Sequence, residues 1–318
     1  MSANFAILGV GGYIAPRHLK AIKDTGNKLV VACDPADSVG ILDSFSYETS
    51  YFREFERFDR HVEKLRRSSE DQHINYVTIC SPNYLHDAHI RFALRIGADA
   101  ICEKPLVLNP WNSDALQNLE QETGRHIYTI LQLRVHPSIL EFKEKLHKEN
   151  STHKYDINLT YITSRGKWYL ISWKGDMEKS GGLATNIGIH FFDLLIWLFG
   201  AVVGQEVHFA SPTKTGGFLE LEKARVKWFL SIDRNDLPQS CKEKNKTTFR
   251  SLTVDNTEIE FSGGFTDLHT VVYKHILEGK GYGIDDARAS IQLAHDIRHA
   301  KPTGLNMHSH DYLRKALS

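Results

Sequence analysis

The sequence has no excess charge of either sign and no long apolar run. Lys plus Arg and Asp plus Glu each number 39 among 318 residues, so the net charge is zero. A nucleic-acid-binding or polybasic membrane surface needs clustered excess charge, which this balance disfavours. No apolar run approaches the length of a membrane span, and the first residues lack the pattern of a signal peptide. We therefore expect neither a nucleic-acid nor a membrane partner.

Cysteine is scarce, and the motifs of several enzyme classes are missing. The four cysteines form no CxxC pair, and Cys33, Cys80 and Cys102 lie within or at the end of predicted strands. This is typical of free buried thiols in a reducing, cytoplasmic compartment. No GxSxG or GxxxxGK[ST] motif supports acyl transfer or P-loop chemistry. The pair His86 and His89 lacks further ligands at a recognisable spacing, so we expect no metal.

The residues that are present have the composition of a soluble globular protein, 41% hydrophobic and 25% charged. Predicted strands and helices alternate over residues 1–130, as in the α/β class with a doubly wound parallel sheet. Farther along, strands such as Tyr155–Thr163 alternate polar and apolar residues, which indicates an antiparallel sheet with one solvated face. We therefore predict a Rossmann-type domain over 1–130 and an α+β domain with a mostly antiparallel sheet over 131–318.

A glycine-rich turn follows the first predicted strand, NFAILGV. Its glycines are Gly9, Gly11 and Gly12. They would let the backbone approach a pyrophosphate ahead of a helix that starts near Pro16. Asp34 ends the next strand, where it would accept hydrogen bonds from a ribose and repel a 2′-phosphate, which favours NAD over NADP. Because Ile14 stands where GxGxxG has a third small residue, the turn alone also fits an ordinary strand-to-helix connection.

The apolar run AIC stops at Glu103 and is followed by Lys104 and Pro105. Proline cannot donate to a sheet ladder, so we predict that the strand ends near Glu103. Lys104 then lies at the carboxyl end of a strand, the edge where open α/β sheets bind ligands. The residue type alone favours an ordinary surface lysine, and the alternative is a positioned cation or proton carrier.

The segment 163–182 is dense in cations and aromatic residues. These are Arg165, Lys167, Trp168, Tyr169, Trp173 and Lys174. Loops of this length are usually functional or disordered, and the aromatic content disfavours disorder. Cations suit phosphate and carboxylate groups, and aromatic faces suit sugar or base rings. A surface loop whose aromatics cover the sheet is an equal alternative.

A predicted helix that starts near Thr185 carries Asn186, His190 and Asp193 at spacings of four and three. These residues share one face of a helix that is otherwise almost wholly apolar. A single buried histidine is usually a satisfied core residue. Three polar groups on one stripe are costly to bury unless they find partners or line a binding site, so we favour a functional stripe.

Together these motifs resemble the Gfo/Idh/MocA oxidoreductases. The resemblance rests on the N-terminal dinucleotide fold, SPNYLH, GADAICEKPL and NIGIH. More narrowly, segments such as LTYITSRGKWYL and ARVKWFLSIDRNDLP are similar to the WlbA/WbpB group. That resemblance implies NAD-dependent oxidation of the C3 hydroxyl of UDP-N-acetyl-D-glucosaminuronic acid, in synthesis of diacetamido uronic acids for bacterial lipopolysaccharide O-antigen.

The resemblance also implies a set of site residues. The catalytic pair is Lys104 and His190, and the sequence does not assign the base. The residues implied for substrate binding are Lys104, Arg165, Tyr169, Trp173, Asn186 and His190. The residues implied for NAD are Gly9, Gly11, Gly12, Tyr13, Ile14, Asp34, Ser81, Asn83, His86, Glu103, Lys104 and Gln132. Members of the group imply a homotetramer and, for some, recycling of NADH by 2-oxoglutarate.

Two other functions compete with this hypothesis. One is another NAD-dependent sugar or inositol dehydrogenase of the same family, although a free monosaccharide would leave the cationic, aromatic segment 163–182 underused. The other is a catalytically silent regulator that senses NAD or a sugar. The presence of both Lys104 and His190 argues against a regulator, since a sensor needs neither proton carrier.

Overall fold

The computed structural model describes residues 2–37, 39–149, 153–259 and 267–318. The chain divides into two compact units. The first unit is Met1–Val135 with Phe265–Arg288, and the second unit is His136–Gly264 with Ala289–Ser318. The boundary predicted at residue 130 assigns residues 267–288 to the later domain. In the structure these residues pack with the first unit instead.

Strands and helices alternate through the early chain, and the later chain combines the strands of a second sheet with further helices. In the described residues the strands are β1 (Asn4–Leu8), β2 (Lys28–Cys33), β3 (Ser50–Phe52), β4 (Tyr76–Ile79), β5 (Asp99–Cys102), β6 (Ile127–Thr129), β7 (Tyr155–Thr163), β8 (Val202–Ala210), β9 (Lys214–Leu221), β10 (Ala224–Ser231), β11 (Thr248–Val254) and β12 (Thr257–Glu258). The helices are α1 (Ala15–Asp24), α2 (Phe55–Arg66), α3 (His86–Arg95), α4 (Pro110–Thr123), α5 (Pro137–Glu149), α6 (Trp168–Ile171), α7 (Met177–Ser180), α8 (Ile189–Phe199), α9 (Gln239–Glu243), α10 (Leu268–Leu277), α11 (Ile284–His299) and α12 (Asp311–Leu317).

The first unit is built on a parallel sheet with strand order β3-β2-β1-β4-β5-β6. The chain order reverses between β1 and β4, which makes the carboxyl ends of these two strands the switch point where such sheets bind ligands. Helix α10 returns to this unit and buries Leu268, Val272 and Tyr273 in the same apolar core as Phe5 and Ile7. This core is thus completed by a helix that lies more than 250 positions after β1 in the sequence.

The second unit contains a mixed sheet with strand order β12-β11-β7-β10-β9-β8. Strands β7 and β10 pair in parallel, and the other neighbours pair antiparallel. The sequence-based expectation is that no apolar run approaches the length of a membrane span. A helical stretch over Met177–Phe199 is nevertheless long and apolar enough to cross one, but 72% of its most apolar window is buried. A mostly buried stretch of this kind is typical of a core helix in a globular unit.

The predicted fold class is confirmed, and several predicted elements need correction. Strand β7 matches its predicted bounds, Tyr155–Thr163, to the residue. The predicted helix near Thr185 begins instead with a π-type turn, Ala184–Gly188, ahead of α8. Strand β3 and helix α12 were not predicted. The sequence also predicts a strand over residues 258–261, of which 260 and 261 lie outside the described residues.

Candidate functional site

The turn after β1 packs against the turn after β4 at backbone distance. Gly9 has a φ of +86°, and a Cβ there would lie 2.6 Å from the backbone of Cys80 and Ser81. Only glycine fits position 9 without displacing that backbone. At Gly12, a Cβ would lie 3.1 Å from the carbonyl oxygen of Gly9. The predicted glycine turn is therefore compact and lies at the switch point of the sheet.

Asp34 fixes the same turn from the end of β2. The Gly11 N–H donates to Oδ2 of Asp34 at 2.9 Å, and the Ala36 N–H donates to Oδ1 at 2.8 Å. Each carboxylate oxygen thus accepts one backbone hydrogen bond. An ionised carboxylate offers about four lone-pair sites, so Asp34 keeps acceptor capacity for ribose hydroxyls. Of the neighbouring predicted contacts, Tyr13 is 91% exposed and Ile14 is half-buried just before α1.

His86 links the turn after β4 to the residue that follows Lys104. Its Nδ1 lies 2.7 Å from the carbonyl oxygen of Pro105, and its Nε2 lies 2.9 Å from that of Ser81. Burial lowers the pKa of His86, and the two carbonyl contacts oppose that shift. Ser81 is buried and shares a 2.8 Å hydrogen bond with Nδ1 of His89. Asn83 is also buried in this turn, so two loops predicted to contact NAD are held together.

Lys104 follows β5 and is half-buried, and its peptide bond to Pro105 is cis. Glu103, immediately before it, is only 6% exposed. One oxygen of Glu103 accepts from the Lys104 N–H at 3.2 Å, and the other lies 3.0 Å from Nε2 of both His18 and His269. These two histidines were missed by sequence analysis, since neither lies in a recognisable motif.

Gln132 lies just beyond the carboxyl end of β6 and is 8% exposed. Its Oε1 is buried and has no hydrogen-bond partner among the residues that the structure describes. Buried amide oxygens are nearly always paired, so this acceptor fits a bound group that donates a hydrogen bond. With the glycine turn and Asp34, it fits the requirements of a dinucleotide at this edge of the sheet.

The second unit brings Tyr169 and Asn186 into contact. Tyr169 is 2% exposed, and its hydroxyl oxygen accepts a 2.5 Å hydrogen bond from the Asn186 side chain. Burial raises the pKa of Tyr169, and the Asn186 hydrogen bond and the nearby Arg165 guanidinium oppose the shift. Arg165 is exposed at the end of β7. Three of the predicted substrate-binding residues therefore lie close together.

The segment 163–182 is ordered by short helices α6 and α7 and by aromatic contacts. Lys174 Nζ lies 4.2 Å from the ring centroid of Trp173 and 5.7 Å from that of Trp168, in the range of cation–π attraction. Burial, followed by the charge of Arg165, lowers the pKa of Lys174. Trp173 is half-buried and Trp168 is 54% exposed, so this aromatic surface is only partly covered within the unit.

The polar stripe of the apolar helix is narrower than predicted. Among residues 183–195, Asn186 and His190 are half-buried and all others are buried, including Asp193. Asn186 lies in the π-type turn, and His190 lies at the start of α8. The accessible polar groups are therefore the amide and the imidazole, and Asp193 is buried beneath them at 3% exposure.

Comparison with known proteins places the chain in a family. A model described as oxidoreductase family, NAD-binding Rossmann fold, matches residues 3–130, and the model of that family's C-terminal alpha/beta domain matches residues 150–234. The WlbA (WbpB) dehydrogenase of Thermus thermophilus is 52% identical, with a TM-score of 0.91, over 96% of this chain and 97% of that one. This chain belongs to the Gfo/Idh/MocA oxidoreductase family. The resemblance predicted from the sequence motifs is confirmed.

The similar proteins differ in sequence identity and in how much of their length this chain matches. The Thermus protein has been solved with NAD and alpha-ketoglutarate, and with NAD and UDP-GlcNAcA. WlbA of Bordetella pertussis, 18% identical with a TM-score of 0.75 over 96% of both chains, shares the fold. A curated relative, 2,7-anhydro-N-acetylneuraminate hydratase of Mediterraneibacter gnavus, is 26% identical over 68% of this chain. The matched region spans 53% of that hydratase, and 35% and 16% of two other curated oxidoreductases.

Proposed function

We propose that this protein is an NAD-dependent dehydrogenase that oxidises the C3 hydroxyl of UDP-N-acetyl-D-glucosaminuronic acid to the 3-keto sugar. The observation that carries the proposal is the 52% identity, over nearly the full length of both chains, to a dehydrogenase solved with NAD and UDP-GlcNAcA. The product serves the synthesis of diacetamido uronic acids for the lipopolysaccharide O-antigen in the bacterial cytoplasm.

The geometry of the first unit supports the proposed cofactor-binding residues. The backbone of the turn Gly9–Gly12 holds the pyrophosphate, and Asp34 accepts hydrogen bonds from the adenosine ribose. Gln132 supplies a buried acceptor whose hydrogen bond is otherwise missing among the described residues. NAD, when bound, takes the hydride that leaves C3 of the sugar.

Lys104 and His190 form the catalytic pair in this proposal. One accepts the proton of the C3 hydroxyl, and the other donates a hydrogen bond to the same oxygen as the carbonyl forms. An unperturbed histidine titrates near pH 6.5 and an unperturbed lysine near pH 10.4, so histidine is the readier base at neutral pH. Lysine would need burial or a neighbouring cation to serve in that role.

In this proposal the substrate is bound by four residues of the second unit, namely Tyr169, Asn186, Arg165 and Trp173. The Asn186 amide contacts the sugar, with its orientation fixed by Tyr169. Arg165 pairs with the uronate or the diphosphate, because a guanidinium binds either group through two parallel hydrogen bonds. Trp173 offers a ring face to the sugar or base. The first unit then forms the NAD-binding domain, and the second unit forms the substrate-binding and oligomerisation domain of a homotetramer.

The decisive experiment mixes the protein with NAD and UDP-N-acetyl-D-glucosaminuronic acid and follows NADH absorbance together with the 3-keto product. Because tightly bound NADH would limit the reaction to one turnover, the same mixture is repeated with 2-oxoglutarate as the recycling substrate. We expect turnover with the uronate and little with UDP-N-acetylglucosamine or inositol. Turnover with either of those two in place of the uronate would overturn the substrate assignment, and no reduction of NAD with any sugar would favour a silent regulator.

A further inference from the structure

A buried carboxylate lies directly before the proposed catalytic lysine and is held by two histidines. Glu103 is 6% exposed, His18 is 0% exposed and His269 is 1% exposed. Nε2 of each imidazole lies 3.0 Å from the same carboxylate oxygen, Oε1. His18 comes from α1, and His269 comes from α10, so the two partners reach Glu103 from distant parts of the sequence. All three residues belong to the first unit.

The hydrogen bonds around His18 form a chain that links Glu103, His18, Tyr273 and Thr78. Nδ1 of His18 lies 2.8 Å from the Tyr273 hydroxyl, which lies 2.8 Å from the Thr78 hydroxyl. If His18 donates from Nε2 to the carboxylate, its Nδ1 accepts from Tyr273, and the oxygen of Tyr273 accepts from Thr78. In this arrangement the Tyr273 hydroxyl supports the tautomer of His18 that donates to Glu103. His269 and Tyr273 are four apart on α10, so one helix face supplies both supports.

The ionised state of Glu103 is stabilised by this arrangement. Burial alone would raise the pKa of Glu103, but the hydrogen bonds from His18 and His269 hold that pKa well below its ordinary value. The three ligand-type atoms lie within 4.8 Å of one another, close enough for a metal ion. The 3.0 Å distances from both imidazoles to one oxygen are those of direct hydrogen bonds, which account for the cluster without an ion.

We propose that Glu103 is a positioning residue whose second oxygen fixes the backbone of Lys104. Oε2 accepts the Lys104 N–H at 3.2 Å, while Oε1 is anchored by the two imidazoles. These contacts hold the Glu103 side chain in one rotamer. The backbone of Lys104 is therefore fixed, and this fixes the position from which its side chain extends. This inference rests on the proposed function, because it gives Lys104 a place at the reacting oxygen.

The role differs from the one predicted for Glu103 from the sequence, which is contact with NAD. A residue that touches the cofactor should change NAD affinity when altered. A residue that positions Lys104 should change the chemical step and leave NAD affinity intact. Misplacing a reacting group by about 1 Å can lower a rate roughly 100-fold, so a loss of Lys104 alignment is measurable even if the fold is unchanged.

The first test is Glu103→Gln, in which the amide cannot accept from both histidines and from the Lys104 N–H at once. We expect kcat to fall about 10- to 100-fold, with the NADH dissociation constant, measured by fluorescence titration, changed less than about twofold. Unchanged kcat would overturn the proposal. Weaker NADH binding with unchanged kcat at saturating NAD would also overturn it and make Glu103 a cofactor residue.

A matched pair at His269 keeps the proposal testable even if Glu103→Gln fails to fold. His269→Gln keeps an N–H donor at the distance of Nε2, and His269→Leu fills the space without a donor. We expect His269→Gln to keep at least about a third of the wild-type kcat and His269→Leu to lose about tenfold, with folding checked by thermal unfolding. Equal activity of the two variants would overturn the proposal.

Lys104→Met separates this inference from the proposed function. If Lys104→Met retains the wild-type rate, the catalytic role of Lys104 fails, and the inference fails with it. If Lys104→Met is inactive while Glu103→Gln and His269→Leu are fully active, the proposed function stands and only the positioning role is overturned.

Discussion

The Asn186 side chain donates a 2.5 Å hydrogen bond to the hydroxyl of Tyr169, which is 2% exposed. The two residues lie 17 positions apart, one in α6 and the other in the π-type turn before α8. The buried Tyr169 hydroxyl therefore fixes the orientation of the half-buried Asn186 amide. A fixed amide can recognise a sugar hydroxyl without paying for rotamer ordering on binding.

Removing that hydroxyl tests whether the contact serves substrate binding. We expect Tyr169→Phe to lower kcat/KM for the nucleotide sugar about 3- to 10-fold, the size of one lost hydrogen bond, with NADH affinity unchanged. Tyr155→Phe is the matched control, because Tyr155 is also buried in the second unit and donates its hydroxyl proton to Glu149 at 2.7 Å. An equal loss of kcat/KM in both variants would assign Tyr169 to stability alone. Steady-state kinetics over a range of substrate concentrations makes the comparison.

Substitution of Arg165 tests which of the two anionic groups of the proposed substrate this residue binds. We expect Arg165→Leu to weaken binding of the uronate about 10- to 100-fold, since a charge-assisted pair is lost. If Arg165 pairs with the uronate, binding of UDP-N-acetylglucosamine and UDP is unaffected, whereas a diphosphate contact weakens all three. Arg225→Leu is the control, because Arg225 is an exposed arginine in β10 paired with Asp156. Calorimetric titration in the presence of NAD measures all three ligands.

Much of the fold could be predicted because its strands have clear boundaries. Strand β2 is an apolar run that is followed by Asp34, and β7 alternates polar and apolar residues. Strand β3 has three half-buried residues at a sheet edge, too short for a periodic pattern. The π-type turn at Ala184–Gly188 was predicted as α-helix because the apolar spacing of the two helix types differs by less than one residue per turn.

The residues around Lys104 were harder to predict than Lys104 itself. Glu103 and Lys104 follow a recognisable strand end, so their place at the sheet edge could be read from the sequence. His269 lies 166 positions from Glu103 in a helix that follows the second unit's sheet. A buried histidine on an apolar helix has no local signal for its partner, because the contact depends on how α10 packs into the first unit.

Asp34 should determine which dinucleotide is bound. We expect Asp34→Ala to weaken NADH binding about tenfold and to raise NADPH affinity relative to NADH, because the carboxylate that repels a 2′-phosphate is gone. Asp37→Ala, an exposed neighbour in the same turn, removes the same charge and should leave the preference intact. An unchanged preference in Asp34→Ala would remove Asp34 from the ribose contact. Fluorescence titration with both reduced dinucleotides provides the measurement.

The proposed catalytic pair is tested by two substitutions that keep side-chain size. We expect Lys104→Met and His190→Asn each to lower kcat by at least about 100-fold, the lower range of general acid–base catalysis, while NADH binding persists. Lys64→Met, on the exposed face of α2, and His308→Asn, on an exposed segment of the second unit, are the controls. A variant that keeps a near wild-type rate would remove its residue from the pair. Single-turnover measurements avoid any limit set by NADH release.

Acid should destabilise the protein through His310, which caps α12. Its Nδ1 accepts from the Tyr312 N–H at 3.1 Å, and its Nε2 lies 3.1 Å from the Thr160 hydroxyl. A proton on Nδ1 would face the Tyr312 N–H, and burial lowers the pKa of His310 from 6.5 to about 4. Asp311 opposes that shift and Lys227 adds to it.

The sign of the effect follows from which state binds the proton. Above pH 6.5 the histidine is neutral in both the folded and the unfolded chain, so its contribution to stability is fully present. As the pH falls from 6.5 toward about 4, the unfolded chain takes up the proton first, and the free energy of unfolding decreases. We expect this residue to account for about 2 kcal/mol of the loss between pH 7 and pH 5.

Urea unfolding of His310→Asn at pH 7 and pH 5 checks the prediction, because asparagine can keep the cap but does not titrate. The difference in free energy of unfolding between the two pH values should shrink by about 2 kcal/mol relative to wild type. Thr160→Val keeps the imidazole and removes its hydroxyl partner, so it should lower stability at both pH values and retain the pH dependence. An undiminished pH dependence in His310→Asn would show that other groups, such as the half-buried His89 with its pKa lowered to about 4, control the acid sensitivity.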